Sequence, residues 1–205
     1  MNRYAAIILA AGAATRWKNG PKALADWRGQ TLLNHACHLA RSAACTPLYR
    51  VLGAHREAIE ATPVPEGVRT VWNADWADGL GSSLACGVRA LAVDPDAADC
   101  AGVLVLLCDQ PLITPETLHA LCEAHARGGR GLVFANHGNG VTGPPALFAR
   151  AYWPELAVLT GAESARRLAR AHPEAFATIA APEAAEDIDT PEDYARLCLA
   201  DQAGQ

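Results

Sequence analysis

Short apolar runs alternate along this chain with stretches whose apolar residues recur every three or four positions, and that rhythm predicts its elements. Tyr4-Ala5-Ala6-Ile7-Ile8-Leu9 has no polar interruption and predicts a buried strand. Thr31 to Ala43 carries Leu32, Leu33, Ala36, Cys37, Leu39 and Ala40 at helical spacing. Leu48 to Leu52 predicts a second strand, Gly53-Ala54-His55 a turn, Arg56 to Ala61 a short helix and Val68 to Trp72 a third strand. A helix bearing Leu84, Val88 and Leu91 follows, with Ser82 or Ser83 as its N-cap. Gly102 to Leu107 contains five consecutive apolar residues and predicts a central strand covered on both faces. Thr114-Pro115-Glu116 opens the next helix with a cap and an N1 proline. Arg130 to Ala135 predicts another strand, and Asn136 to Gly140 a polar, glycine-rich loop. Thr190, Pro191 and Asp193 form a near capping box for a last helix. Strands alternating with helices imply crossover connections, hence a single α/β domain over residues 1–205 with a mainly parallel sheet. No repeat, low-complexity run or linker divides it.

Charge and composition narrow the function more than the fold. A net charge of −5 leaves no electrostatic footprint for nucleic acid, so any cations that matter must be locally placed. No run approaches the length of a membrane span, and the first residues read as a strand with no signal-peptide pattern, so the cytoplasm is the expected compartment. Seven cysteines, with no C-x-x-C pair and most of them inside apolar stretches, are expected to be reduced, structural thiols. His35 and His38 stand three apart on the first predicted helix, but no third metal ligand lies near them in sequence.

The first strand leads into Ala10-Ala11-Gly12-Ala13-Ala14-Thr15, a stretch of small residues that leaves its backbone open to a ligand. Gly12 can take φ > 0 and turn successive N–H groups toward one anion. Arg16 and Lys22 add two cations, with a turn at Gly20-Pro21 between them. Together these are the parts of a phosphate cradle. It is neither a Walker loop, since Ala23 follows Lys22, nor a dinucleotide G-x-G-x-x-G. It resembles L-A-A-G-x-x-x-R-x-G-x-x-x-K, the opening signature of nucleotidyltransferases related to the molybdenum-cofactor guanylyl- and cytidylyltransferases, through Leu9, Ala10, Ala11, Gly12, Arg16 and Lys22. The usual glycine two places after the arginine is Lys18 here.

Asp109 stands at the carboxyl end of the most apolar strand, where ligands bind in open α/β sheets. A carboxylate leaving so apolar a strand needs a cation or hydrogen-bond donors. Because Thr114 already caps the next helix, a metal-ligand role is favoured, and Cys108-Asp109-Gln110-Pro111 resembles the magnesium aspartate segment of the cytidylyltransferase branch. Asp187 and Asp189 lie just before the last helix, and alternation puts both on one face. The resemblance of Asp187-Ile188-Asp189-Thr190-Pro191-Glu192-Asp193 implies that one of them completes the metal site. Asp189, adjoining the cap Thr190, is the expected second ligand, with Asp187 pairing with a cation or supporting the site from behind. The segment around Trp76 resembles W-x-x-G-x-x-x-S-L and implies a base and ribose pocket at Gly79, Gly81, Ser82 and Ser83. Gly143-Pro144-Pro145-Ala146-Leu147-Phe148 resembles the acceptor-side G-x-P-x-L-F, giving Gly143 and Pro145 as acceptor contacts. Leu159 to Arg166 occupies the place of L-x-G-D-x-G-A-R, with Ala162 for the aspartate, Ser164 for the second glycine, and Arg166 available to a phosphate.

The resemblance thus implies a Rossmann-like domain of the nucleotide-diphospho-sugar transferase type. It implies a Mg²⁺-dependent enzyme that moves CMP from CTP onto the terminal phosphate of molybdenum-bearing molybdopterin and releases pyrophosphate. Arg16, Lys22 and Asp109 would be the catalytic groups, and Asp109 and Asp189 would hold the metal. The implied partners are CTP, a molybdopterin-type phosphate acceptor and, transiently, a molybdoenzyme or its chaperone. Two alternatives stay open at this point. One is a nucleotidyltransferase of the same fold using another NTP or a sugar or polyol phosphate. The other is a nucleotide- or cofactor-binding chaperone without turnover.

Overall fold

The structure, a computed structural model, describes residues 2–161 and 165–203. In chain order the strands are β1 (Arg3–Ala10), a small hairpin of β2 (Asp26–Trp27) and β3 (Gln30–Thr31), then β4 (Leu48–Leu52), β5 (Val68–Trp72), β6 (Cys100–Leu107), β7 (Leu132–Gly138), β8 (Val141–Ala149) and β9 (Phe176–Ala180). The helices are α1 (Leu32–Ser42), α2 (Arg56–Glu60), α3 (Leu80–Ala92), α4 (Pro115–Gly128), α5 (Trp153–Leu156), α6 (Arg166–Ala171) and α7 (Pro191–Ala203). Seven strands build one sheet in the order β5-β4-β1-β6-β8-β7-β9. β1 lies near its centre, parallel to both β4 and β6.

Both faces of the sheet are covered, which is why the β1 run does not alternate in polarity. Ala6 and Ile8 point into a cluster with Leu33, Cys37, Leu104 and Leu118, beneath α1 and α4. Ala5, Ile7 and Leu9 point the other way, into Leu84, Val88, Phe134 and Phe148, beneath α3. Gly87 lets α3 settle closely on the sheet, since a Cβ there would lie 2.8 Å from Val51 and 3.0 Å from Ile7. The parallel pattern has one exception, β8, which runs antiparallel to β6 and β7. The cause is local: β7 continues through Asn136 and His137, predicted as loop, to Gly138, and the chain reverses at Asn139-Gly140, both with positive φ (50° and 76°). A two-residue turn of that kind can only join antiparallel neighbours. The proline-bearing segment at 143–148 is therefore the interior of a strand.

The predicted N-cap of α3 is also corrected. The helix begins at Leu80 behind Gly79, whose φ of 122° belongs to glycine, so Ser82 and Ser83 lie inside its first turns. The cap of α4 is as expected, with Thr114 accepting from the Thr117 N–H, and α1 is capped by Thr31, which accepts from the Asn34 N–H. A third cluster gathers Trp17, Trp27, Leu32, Ile188 and Leu197. It fastens α7 and the segment before it to the loop after β1, joining chain regions more than 170 residues apart around the carboxyl end of the sheet.

All seven cysteines are free. Burial pushes the Cys37 thiol up to about 11, with the Cys45 and Cys108 thiols higher still, so these sulfurs are inert packing groups. Among the described residues, no helix is long and apolar enough to cross a membrane.

Candidate active site

The loop after β1 crosses the carboxyl end of the sheet with its backbone held from behind. The Ala54 N–H donates to the Ala11 carbonyl at 2.9 Å, and the His55 ring nitrogen Nε2 donates to the Ala13 carbonyl at 3.2 Å. These bonds engage the carbonyls and leave the opposite side of the loop open. A Cβ built on Gly12 would meet nothing within 4 Å, so the loop faces free space at its glycine. Lys18, standing where the resemblance expects glycine, adopts a left-handed backbone itself, at φ 45°, with Gly20 following at φ 83°. A left-handed non-glycine residue costs roughly 1–2 kcal/mol. Lys18→Gly is therefore expected to raise stability by about 0.5–1 kcal/mol after the added chain entropy is offset, read as a higher urea midpoint at unchanged slope.

Lys22 opens a single 3-10 turn and sends its side chain inward, leaving it 11% exposed. Its Nζ donates to Asp109 Oδ2 at 2.5 Å and to Asp189 Oδ1 at 3.2 Å. Burial alone would lower the pKa of this amine. The Asp109 carboxylate, with Asp189 behind it, more than offsets that and holds it above the usual lysine value. Arg16 approaches from the solvent side and donates to Asp189 Oδ2 at 2.8 Å, with its own side chain 69% exposed.

Asp109 and the Asp187–Asp189 segment are brought together by the backbone, where the Ile188 N–H donates to the Asp109 carbonyl at 2.9 Å. Ile188 is fully buried in the third cluster, and the alternation of an extended segment turns its two aspartates the other way. The capping box then fixes the segment's exit. The Asp193 N–H donates to Thr190 Oγ1 at 3.1 Å, and the Thr190 N–H donates back to Asp193 Oδ2 at 2.9 Å. The two aspartates differ sharply in partners. Asp189 is held by Arg16 and Lys22, whereas Asp187 has a buried Oδ1 with no hydrogen-bond partner, and so has Asp109. Burial, and after it the charge of Asp109, pushes the Asp187 carboxyl up to about 6. Two buried carboxylate oxygens without donors are what a hard divalent cation would satisfy.

A cavity of about 260 Å³ opens beside these groups, lined by Ala11, Gly12, Lys22 and Asp109 on one side and Trp76, Gly79 and Ser83 on the other. A second cavity, of about 230 Å³, adjoins it across Leu9 and Leu80 and is lined by Gly143, Pro144, Phe134, Phe148 and Arg166 among others. Of the residues predicted for a base pocket, Gly79 and Ser83 line the first cavity and Gly81 the second. Ser82 lines neither, because its Oγ is engaged by the Asn73 amide and by the Asp75 and Gly79 carbonyls. Of the predicted acceptor residues, Gly143 and Arg166 line the second cavity. Pro145 does not; alternation along β8 gives the place to Pro144. Ala162 and Ser164 lie outside the described residues.

Three participants were missed from sequence. Asn73 ties both serines of α3 to the end of β5 through its Nδ2, at 2.9 and 3.0 Å. Trp76 and Leu80 present apolar surface to the cavities. Trp76 stood inside a quoted motif and was the one with a signal to be found. His35 and His38 are structural, His35 Nε2 donating to the Pro111 carbonyl and His38 bonding Gln30. Among the described residues, no set of three or more His, Cys, Asp or Glu side chains could hold a metal alone. Magnesium asks less, since one or two carboxylates suffice when phosphates supply the remaining oxygens.

An open loop after the first strand, with paired cations and carboxylates at the carboxyl end of a mainly parallel sheet, is an arrangement that fits the nucleotidyltransferase class. Residues 6–176 match the model of the MobA-like NTP transferase domain, and the chain belongs to that family. Across 122 residues it is 38% identical to the nicotine blue oxidoreductase of Paenarthrobacter nicotinovorans, covering 60% of this chain and 57% of that protein. Over 124 residues it is 38% identical to the bifunctional protein GlmU of Alkaliphilus metalliredigens, covering 60% of this chain and 25% of that one. The matched segment thus spans about half or less of these curated relatives. Rv0371c from Mycobacterium tuberculosis H37Rv, solved as a complex with manganese, superimposes with a TM-score of 0.76 at 27% identity, over 96% of this chain and 97% of that one.

Proposed function

We propose that this protein transfers CMP from CTP to the terminal phosphate of a molybdopterin-type acceptor, releasing pyrophosphate. The observation that carries the reading is the arrangement at Asp109, an aspartate with one oxygen on Lys22 and the other buried and unpartnered, facing the cavity bounded by the Gly12 loop. Phosphoryl-type transfer needs little covalent help from protein and much positioning and charge neutralisation. In this reading an acceptor phosphate oxygen attacks the α-phosphorus, a new P–O bond forms, and the bond to the leaving pyrophosphate breaks. The open backbone of the loop cradles the triphosphate, and Arg16 and Lys22 offset the charge gathering on the leaving group. Gly79, Ser83 and Trp76 enclose the nucleoside. The acceptor approaches through the second cavity, with Arg166 at its lining for the acceptor phosphate. Asp109 and Asp187 would hold the divalent ion, which when bound supplies positive charge to the phosphate oxygens. The manganese complex of Rv0371c supports a divalent ion in this fold.

The test is pyrophosphate release across the four NTPs, each combined with molybdopterin, sugar-phosphate and polyol-phosphate acceptors. Sugar phosphates belong in the screen because GlmU relatives match the same segment. CTP is expected to exceed GTP by about 5–100-fold in kcat/KM, because the buried Ala11 methyl crowds a purine and discrimination of this kind is worth roughly 1–3 kcal/mol. Ala11→Gly should narrow that preference, and GTP equal to CTP in the unaltered protein would count against the assignment.

A further inference from the structure

We infer that Lys22 is a tethered cation that holds the carboxylate site closed to a divalent ion until a triphosphate arrives, so that metal enters with the nucleotide and not ahead of it. The inference takes from the reading above only that the ligand is a triphosphate. The Lys22 ammonium is shared between Asp109 Oδ2 and Asp189 Oδ1, at 2.5 and 3.2 Å, with its own side chain and that of Asp109 only 11% and 18% exposed. The same Asp109 has its other oxygen buried and unpartnered, as has Asp187, so the oxygens best suited to a dication belong to a carboxylate that already carries a monocation. Cations this close repel strongly where water is scarce, and screening by salt is weak in a buried cleft. A dication arriving alone must therefore displace the ammonium or bear its repulsion.

A triphosphate changes both sides of that competition. Its oxygens offer Lys22 and Arg16 a more highly charged partner than the aspartates, and drawing the ammonium away exposes Asp109 in full. Binding free energies are reciprocal, so whatever factor the nucleotide adds to metal affinity, the metal adds to nucleotide affinity. The position of Lys22 between Asp109 and Asp189 thus couples two ligands through one side chain, without any domain movement.

Mn²⁺ binding to the intact protein, read from free Mn²⁺ by electron paramagnetic resonance, tests this without turnover. In the absence of nucleotide, Lys22→Met should bind Mn²⁺ at least about tenfold more tightly than the unaltered protein. Adding tripolyphosphate, after correction for its own Mn²⁺ complex, should tighten Mn²⁺ by about tenfold or more in the unaltered protein and by less than about threefold in the variant. Adding Asp187→Asn to Lys22→Met should remove the gain and so place it at this site. Lys22→Gln serves as a second variant if the methionine protein is not folded by circular dichroism. Equal or weaker Mn²⁺ binding in the lysine variants, or no binding to any of these proteins at millimolar Mn²⁺, would overturn the inference. Failure of CTP in the substrate screen would leave the Mn²⁺ comparison unaffected, so the two readings fail separately.

Discussion

Lys22→Ala is expected to lower turnover by about 10²–10³-fold, the usual loss for one preorganised electrostatic stabiliser. The magnitude follows from where the ammonium sits. A unit charge about 4 Å from developing negative charge interacts with roughly 4 kcal/mol in a partly desolvated site, against about 1 kcal/mol in water. Lys22 is nearly buried, whereas Arg16 is mostly exposed, so Arg16→Ala should cost less, about tenfold. The two variants also separate in stability. Removing Arg16 leaves an aspartate that still reaches solvent. Removing Lys22 leaves Asp109 with neither oxygen partnered by it, and the metal-free variant should melt a few degrees lower and recover when Mn²⁺ is added. Near-normal steady-state kcat in Lys22→Ala would place the triphosphate elsewhere on the molecule.

The fold was legible wherever one local rule acted alone. The β1 and β6 runs, the α1 spacing and the Thr114 cap each needed only periodicity or a capping side chain, and each stands as read. Misreadings came where a tertiary partner decided. Ser82 and Ser83 have the chemistry of caps, but both bond Asn73, just past the end of β5, from inside the helix, and the start falls to Gly79. The prolines of β8 hid a strand, because a central strand rarely carries them; with β7 and β6 on either side the segment remains strand. The site divides in the same way. Gly12, Lys22 and Asp109 follow from the strand-to-loop pattern, and the cavity gathers them. Which of two alternating aspartates is satisfied by cations, and which keeps a buried oxygen unpartnered, depends on side chains more than 160 residues away in sequence. No local pattern could rank them.

That ranking gives the second large effect, in which Asp187→Asn should raise the Mg²⁺ concentration needed for half-maximal activity by at least about tenfold, and Asp189→Asn by only about two- to threefold. Sequence position favours the opposite order, because Asp189 adjoins the capping Thr190 and is fixed by the helix start. In the structure both oxygens of Asp189 are engaged, one by Arg16 and one by Lys22, and the reading proposed above therefore gives it the part of holding the two cations. Asp187 has no such partner, and its carboxyl is pushed up to about 6 by burial and by Asp109. A carboxyl whose folded pKa lies above its unfolded value opposes folding when ionised. In the metal-free protein that penalty is full above about pH 6, shrinks as pH falls toward the ordinary carboxylate range, and is absent below it. Two pKa units correspond to about 3 kcal/mol, so Asp187→Asn should stabilise the metal-free protein at pH 8 by on the order of 2 kcal/mol. The gain should fade toward pH 4. Bound Mn²⁺ should abolish or reverse that advantage, because it stabilises the protein that retains the carboxylate and has less to bind in the variant. Measuring thermal unfolding of both variants at pH 8, with and without Mn²⁺, checks the assignment independently of turnover. A metal titration in which Asp189→Asn suffers more than Asp187→Asn would return the ligand role to Asp189.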